Sequence, residues 1–371
     1  MTELNSKSIE WLRSILVVMV LSVHVHPDHN PNWVAMDQLS GQPAGWMLFS
    51  VAGTFLNKLS FIAVPLFFVI SGYLFFHKLE TWSWDIYRRK LATRVRSLLV
   101  PYLIFNAVCF ISAVASGAAV SFPGWLWNSV TYCHGWSNWL GMSMQLQYPL
   151  DVPLWFVRDL MVMIVLAPAI HWLLRRCGIC FLAASGIAYR LGIMACTPGF
   201  SSNALFFFSL GAYFSLGNKD MAGWSRKHIR YIMPLFFALW IAASVIVEPG
   251  KAQPFENMLF TFGIPVLFYV AGNMVEKGRG HINQAFASAG FFIYSVHMVN
   301  FGRWSLLSSA GRFGNMVFNL GSPAGAAFGY CAEILYIIAA GTATYMLMIR
   351  FAPKLADIIT GGRQSQKHIR I

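Results

Sequence analysis

Charged residues are scarce in this chain of 371 residues: only 11% are Asp, Glu, Lys or Arg, and just 14 are acidic. An average soluble domain carries about 25% charged residues. Hydrophobic residues make up 57% of the chain, and the mean hydropathy is +0.56. A chain so poor in charge and so rich in apolar residues is predicted to be an integral membrane protein.

Cysteine is also uncommon, with six residues scattered along the chain. The single CxxC pair, Cys177 and Cys180, has no second pair and no nearby histidine to complete a metal site. We therefore expect free thiols and no bound metal.

A cleavable signal peptide is not evident. The first apolar run is followed by HVHPDHN rather than by small residues that a signal peptidase would cleave. This run is predicted to remain as the first membrane span.

Long apolar runs are abundant, and about 20 residues suffice for a helix to cross the hydrocarbon core. The sequence predicts an all-α integral membrane protein, a bundle of about ten transmembrane helices that forms one polytopic domain over 1–371. The predicted spans are 9–26, 55–76, 98–117, 154–174, 179–197, 203–217, 229–247, 257–275, 289–309 and 325–349.

The net charge of +13 follows the predicted topology. Most of the 27 Lys and Arg residues fall in the segments that are cytoplasmic if the N-terminus is inside, notably 77–97 and the tail at 351–371. This bias obeys the positive-inside rule. It predicts a multi-pass protein of the plasma (inner) membrane with both termini cytoplasmic, whose basic residues face the lipid bilayer rather than nucleic acid.

The predicted outside loop at 118–153 contains no Lys or Arg but is rich in aromatic residues. Such residues usually form the interfacial belt of a membrane protein. The alternative is a surface on which a sugar or a lipid-linked acceptor stacks. The aromatic residues are Trp125, Trp127, Trp136, Trp139, Tyr132 and Tyr148.

The first span, RSILVVMVLSVH, carries ionisable residues at both ends. Arg13 and His24 are eleven residues apart, which is about three helical turns and roughly 16 Å, so they share one face. His26 points away from that face, and Glu10 is placed to pair with Arg13. One interpretation is that Arg13 extends to the inner headgroups while His24 marks the end of the helix. The other is that both residues are functional.

Four later segments also place unusual residues in apolar surroundings. VPLFFVISGYLFF carries Pro65 and Ser71-Gly72, RVRSLLVPY carries Arg94 and Arg96, VPLWFVRDL carries Arg158 and Asp159, and FFIYSVHMV carries His297. Ionisable residues within a span are costly and are by default functional.

These segments, with FFFSLGAYF, resemble in order the landmarks of the acyltransferase 3 family of membrane acyltransferases. The resemblance covers nearly the whole chain. Glu10 stands where many members have Asp, and no hydrolase-like domain is appended, so the chain resembles the stand-alone, O-acetyltransferase-like members. The resemblance implies transfer of an acetyl or other short acyl group from cytoplasmic acyl-coenzyme A to a hydroxyl of an extracytoplasmic glycan, lipid or small molecule.

The chemistry of the residues agrees with that implication. Histidine is well suited to take a hydroxyl proton near neutral pH, so we expect His24 to be the general base or a transient acyl carrier. Guanidinium groups suit bidentate contacts with phosphate, so Arg13, Arg94 and Arg96 are expected to hold the phosphates of acetyl-coenzyme A.

The remaining candidate residues have two interpretations each. Arg158 either stabilises charge near His24 or pairs with Asp159 or Asp151. Ser71 either donates a hydrogen bond in the pocket or serves helix packing. His297 and Tyr294 either line the tunnel or belong to the core, and Trp155 is assigned to the pocket.

Two other functions fit the same residues. Intramembrane Arg and His also occur in proton-coupled transporters or exporters of small molecules and glycan intermediates, although internal repeats are not evident. The third hypothesis is that the protein is a non-catalytic component of an envelope pathway. The sequence leaves open the acceptor, the length of the acyl group and the oligomeric state.

Overall fold

The computed structural model of the protein describes residues 2–25, 30, 32–77, 79, 82–115, 132–137, 143–192, 199–299 and 305–362, with the backbone alone at 132–137 and 143–148. The loop aromatics Trp125, Trp127 and Trp139, the residue His26 and the end of the tail lie outside these residues.

Most of the described chain is α-helical. The helices are α1 Glu3–His24, α2 Ala44–Ser60, α3 Ala63–Phe76, α4 Trp84–Arg94, α5 Val100–Ala115, α6 Trp155–Val165, α7 Ala167–Leu191, α8 Ser202–Leu216, α9 Met221–Val245, α10 Pro249–Glu276, α11 Gln284–Val296, α12 Leu306–Val317, α13 Pro323–Phe351 and α14 Pro353–Ile359. A π-helical turn, Val95–Leu99, joins α4 to α5, and short 3₁₀ turns occupy Met36–Gln38 and Val152–Leu154.

One element departs from the predicted all-α fold. Strands β1 Tyr132–Ser137 and β2 Ser143–Tyr148 form an antiparallel hairpin in which Tyr132 is opposite Tyr148. The hairpin lies within the predicted outside loop at 118–153. The fold is therefore a helical bundle with a small β-hairpin in one connection.

Six helical stretches in the described chain are long and apolar enough to cross a membrane. They are Ala44–Phe76, Trp84–Ala115, α7, α9, α10 and α13, while α8 and α11 are shorter apolar helices. These helices agree with the predicted helical membrane protein. The count of ten spans and the cytoplasmic placement of both termini stay predictions.

Several helices break inside the predicted spans. The run at 55–76 is interrupted at Phe61 and Ile62, just before Pro65, because proline is tolerated in the first turn of a helix but not in its interior. The run at 289–309 ends its helix at Val296. The kink of α7 at Gly178, by contrast, lies between the predicted spans 154–174 and 179–197, and its φ of +47° is a conformation that glycine adopts readily.

Helix α1 occupies the centre of the bundle. It packs against α2, α3, α9, α10, α11 and α13. Its side chains Leu12, Leu16 and Leu21 are fully buried. The helix that carries Arg13 and His24 is thus held on several sides by other helices.

Helices α3 and α8 approach each other at backbone distance, and glycine makes this possible. A Cβ atom at Gly72 would lie 2.1 Å from the Phe208 carbonyl oxygen, and one at Gly211 would lie 2.0 Å from the Val69 carbonyl oxygen. Only hydrogen fits at either position. The SGY and LGAY segments therefore contain the small residues of a close helix crossing.

Replacing Gly211 by alanine is expected to destabilise the protein by about 3 kcal/mol or more, because the new methyl group would force α8 away from α3. Thermal unfolding of the purified protein in lipid nanodiscs measures the effect. Gly272→Ala in α10 is the control, since its Cβ would lie 3.8 Å from Ala222 Cβ, an ordinary contact. Equal melting temperatures for the two variants would contradict the crossing described here.

Candidate functional site

Two histidines from different helices meet in the bundle. His24 is the last residue of α1, and His297 directly follows α11. Their ring centroids are 4.9 Å apart with a tilt of 50°. The interruption of the helix after Val296 positions His297, whose carbonyl oxygen accepts a hydrogen bond of 3.1 Å from the Leu307 amide.

The hydrogen bonding of His297 fixes its tautomer in the neutral form. Its Nδ1 lies 2.8 Å from the Tyr294 carbonyl oxygen, which can only accept, so Nδ1 carries the proton. Its Nε2 is then a lone-pair acceptor, and this atom is buried without a hydrogen-bond partner in the described part of the chain. His297 can therefore accept a proton or a hydrogen bond beside His24.

Tyr294 ties this histidine pair to the segment that precedes α6. Its hydroxyl donates a hydrogen bond to the Pro153 carbonyl oxygen. Its ring is buried and meets the Phe156 ring edge-on at 6.4 Å. The side chain thus serves packing and positioning, and it lines the region between His297 and α6.

Arg158 and Asp159 form a buried ion pair. Arg158 Nη2 lies 2.9 Å and its Nε 3.0 Å from Asp159 Oδ1. Asp159 also accepts a hydrogen bond from the Ser201 side chain. Of the alternatives that the sequence left open for Arg158, the structure shows the pairing with Asp159, while a role toward His24 stays a prediction.

Asp151, the other partner that the sequence offered for Arg158, is a buried carboxylate that forms no ion pair with it in the described structure. Asp151 is 1% exposed, and neither carboxylate oxygen has a hydrogen bond among the described residues. Its amide donates to Asn106 Oδ1 at 3.2 Å, and Asn106 Nδ2 donates to the Tyr102 carbonyl oxygen at 2.8 Å. The signal that could have found this contact is an asparagine inside the apolar run at 98–117.

Basic side chains converge at the middle of α1, where Arg13 lies. Arg94, at the end of α4, lies within electrostatic reach of both Arg13 and Lys90. Glu10, one turn before Arg13, attracts its charge, but neither Arg13 nor Arg94 forms a close ion pair or a hydrogen bond with a described residue. Like charges repel at short range, so this cluster is suited to an anion. The adjacent π-helical turn is of a kind found frequently at functional sites.

Arg96 is arranged differently from the other two arginines. Its Nη2 lies 3.2 Å from Asp357 Oδ2 in α14, so its charge already has a partner. The chain after α14 passes closely over the π turn, since a Cβ at Gly361 would lie 2.5 Å from Ser97 Cα. The structure therefore separates Arg96 from the pair Arg13 and Arg94.

Two further predicted residues occupy the walls of the bundle. Ser71 is half-buried on α3 beside the glycine crossing, and its hydroxyl has no hydrogen bond to a described residue. Trp155 begins α6, and its ring centroid lies 6.5 Å from that of Phe68. Both are placed in the bundle, but neither contacts the histidine pair in the contacts described.

The site thus has two parts along one helix, one at the middle of α1 and one at its C-terminal end. His24, His297 and Tyr294 gather at the end of α1, and Arg13 and Arg94 meet three turns earlier, at a separation of roughly 16 Å along the helix. The sequence predicted the separation. It did not predict that His297 would pack directly on His24.

Comparison with known proteins gives a consistent result. A family model described as an acyltransferase domain matches residues 6–344. The succinoglycan biosynthesis protein ExoH of Rhizobium meliloti (strain 1021) is 25% identical over 385 residues, which cover 98% of this chain and 94% of that protein. No solved structure matches the chain.

The Asp159→Leu variant is expected to lose about 3–5 kcal/mol of stability, because it removes the carboxylate that pairs with the buried Arg158 charge. The double variant Arg158→Met/Asp159→Leu is expected to recover most of that loss. Thermal unfolding in nanodiscs measures both. The control is Glu276→Gln, which opens the half-exposed pair with Arg226 and should cost less than about 1 kcal/mol. A double variant as unstable as the single one would contradict this account.

Proposed function

Because the chain belongs to the acyltransferase 3 family of membrane acyltransferases, we propose that it transfers an acetyl or another short acyl group from cytoplasmic acyl-coenzyme A to a hydroxyl of an extracytoplasmic saccharide. The observation that carries this proposal is the layout of α1. One central helix presents the Arg13 guanidinium toward Arg94 at its middle and the His24 imidazole toward His297 at its end. Acyl transfer across a membrane needs these two chemistries, separated by a fixed distance.

Arg13 and Arg94 are assigned to the phosphates of the acyl donor. A coenzyme A molecule carries several phosphate charges, and two guanidinium groups that form no close ion pair with a described residue suit bidentate contacts with them. The repulsion between the arginines is relieved when an anion lies between them. Arg96, paired with Asp357, supports the mouth of the site rather than the phosphates themselves.

The long pantetheine arm of the donor accounts for the separation of roughly 16 Å between Arg13 and His24. With the phosphates at the arginines, the arm extends along α1 and presents the thioester near the histidine pair. The orientation that fits is the one the basic loops predict, with the N-terminus and the arginines on the cytoplasmic side of the plasma membrane.

His24 is assigned as the general base. Its imidazole accepts the hydroxyl proton of the acceptor as the oxygen attacks the thioester carbonyl and a carbon–oxygen bond forms. The carbon–sulfur bond then breaks, and the coenzyme A thiolate takes the proton from the His24 imidazolium. The buried Nε2 of His297 has no hydrogen-bond partner among the described residues, and the His297 ring packs against that of His24, so we assign His297 as a residue that positions the His24 imidazole.

The acceptor is assigned to saccharides because of the relative described above. ExoH is, by its name, a protein of succinoglycan biosynthesis. A chain that matches it over nearly its full length is reasonably expected to act on a polysaccharide or on a lipid-linked precursor of one.

Replacing His24 by alanine is expected to lower the rate of acyl transfer by roughly 10²- to 10⁴-fold, because the base is lost. Release of the coenzyme A thiol from acetyl-coenzyme A by the protein in proteoliposomes measures the rate, and mass spectrometry of envelope glycans measures the transferred acyl group. The control is His281→Ala, since His281 is exposed between α10 and α11. Full acyl transfer by a folded His24→Ala variant would show that His24 is not the general base.

Replacing Arg94 by alanine is expected to raise the KM for acetyl-coenzyme A by roughly ten- to a hundredfold with a smaller effect on kcat, because a charge-assisted contact to phosphate is lost. The control on the same helix is Arg88→Ala, whose side chain is exposed. An unchanged KM for the donor would remove Arg94 from the donor site.

A further inference from the structure

A cavity of about 460 Å³ lies beside the histidine pair. Val25, the neighbour of His24, lines it on one side, and Leu307, whose amide bonds to the His297 carbonyl oxygen, lines it on another. Helices α12 and α13 supply most of the other walls. Its volume is in the range of sites that bind small molecules. The cavity is thus connected to His24 through its chain neighbour Val25 and to His297 through the hydrogen bond of Leu307, while neither histidine is among the described lining residues.

The wall of this cavity is polar. Its polar side chains are amides, hydroxyls and one carboxylate, and no basic residue is among the described residues that line it. The polar lining residues are Asn30, Asn32, Ser308, Asn315, Tyr330 and Glu333.

Much of the donor capacity in the wall is already used by the protein. Asn30 Nδ2 donates to the Leu320 carbonyl oxygen, Asn315 Nδ2 donates to the Gly311 carbonyl oxygen, and Ser308 Oγ donates to the Ser305 carbonyl oxygen. The Tyr330 hydroxyl donates to the Ser22 carbonyl oxygen at 3.2 Å, two residues before His24.

One hydrogen-bond acceptor in the cavity wall, by contrast, remains available to a ligand. The Glu333 carboxylate makes no hydrogen bond with a residue in the described part of the chain, and a carboxylate can accept up to about four. A ligand that fits this wall must supply donors, as a molecule with many hydroxyl groups does. Hydroxyl donors to a carboxylate form short, charge-assisted hydrogen bonds.

The charge of the cavity wall further limits the class of ligand that the cavity can bind. Glu333 is the one ionisable acid among the described lining residues, and it faces the cavity half-buried on α13. An anionic sugar would place a second negative charge beside it, and none of the described lining residues is basic. A neutral saccharide meets the same carboxylate with hydroxyl groups and carries no such penalty.

We infer that this cavity is the acceptor subsite and that Glu333 selects a neutral, hydroxyl-rich saccharide there. The inference rests on the proposed function, because it takes His24 as the group that receives the hydroxyl proton. A hydroxyl of the bound sugar that extends past Val25 reaches the histidine pair. Tyr330 holds the wall of the cavity to the last turn of α1, so the sugar and the base keep one geometry.

Direct binding tests this inference without acyl transfer. The full-length protein in nanodiscs is titrated with three neutral disaccharides (cellobiose, lactose and maltose), with anionic digalacturonate and with the cationic glucosamine disaccharide. The readouts are the melting temperature and the dissociation constant. At least one neutral disaccharide is expected to raise the melting temperature and to bind more tightly than both charged ones.

Glu333→Gln is expected to weaken binding of that neutral disaccharide by about tenfold or more, because neutral hydrogen bonds replace charge-assisted ones. The matched control is Glu248→Gln, which neutralises an exposed glutamate paired with Lys251 at 2.6 Å and should leave binding unchanged. Asn315→Ala is a second variant at an exposed lining position, and it should also weaken binding if Glu333→Gln does not fold.

Three results would overturn the inference: no binding of any neutral disaccharide, binding that Glu333→Gln leaves unchanged, or preferred binding of the cationic disaccharide. The experiment distinguishes a failure of this inference from a failure of the proposed function. If acetyl-coenzyme A is consumed through His24 but sugar binding ignores Glu333, only the cavity assignment fails. If a neutral sugar binds through Glu333 but no acyl-coenzyme A is consumed, the ligand class of the cavity stands and the acyltransferase proposal fails.

Discussion

The packing of α1 in the centre of the bundle is the constraint on which the rest of the site depends. A helix in contact with several others cannot shift or rotate without disturbing all of them, because close-packed interiors transmit displacement rather than absorb it. The separation of Arg13 from His24 is therefore set by the helical rise alone. The other groups of the site lie near Arg13 or near His24.

The two parts of the site, around Arg13 and around His24, differ in whether their charged side chains are paired within the protein. At the middle of α1, Arg13 and Arg94 form no close ion pair with a described residue, whereas Arg96 pairs with Asp357 in α14. At the end of α1, His24 and His297 are groups that can exchange protons, and in α6 the buried charges of Arg158 and Asp159 neutralise each other. The first part is suited to hold an anion and the second to carry out proton transfer.

The helical class, the position of the first span and the spacing of Arg13 and His24 were readable from the sequence, because apolar run length and helical periodicity are local properties. The pairing of His24 with His297 was not, because more than 270 residues separate them and nothing local specifies which helix ends meet. The break after Val296 was also missed, since continuous hydrophobicity hides a change of direction. Ser71 shows the same limit: its neighbour Gly72 makes the backbone contact, which composition suggests but only coordinates locate.

The π turn between α4 and α5 makes the length of its segment as important as its chemistry. A π turn contains one residue more than an α-helical turn, and each residue rotates a helix by about 100°. Loss of one residue from Val95–Leu99 would swing Arg94 around the helix axis relative to Tyr102 and Asn106 while leaving all their side chains intact. Within the RVRSLLVPY segment, a deletion would therefore be more harmful than most substitutions. Relatives that keep this geometry are expected to vary in the residue types of this segment but not in its length.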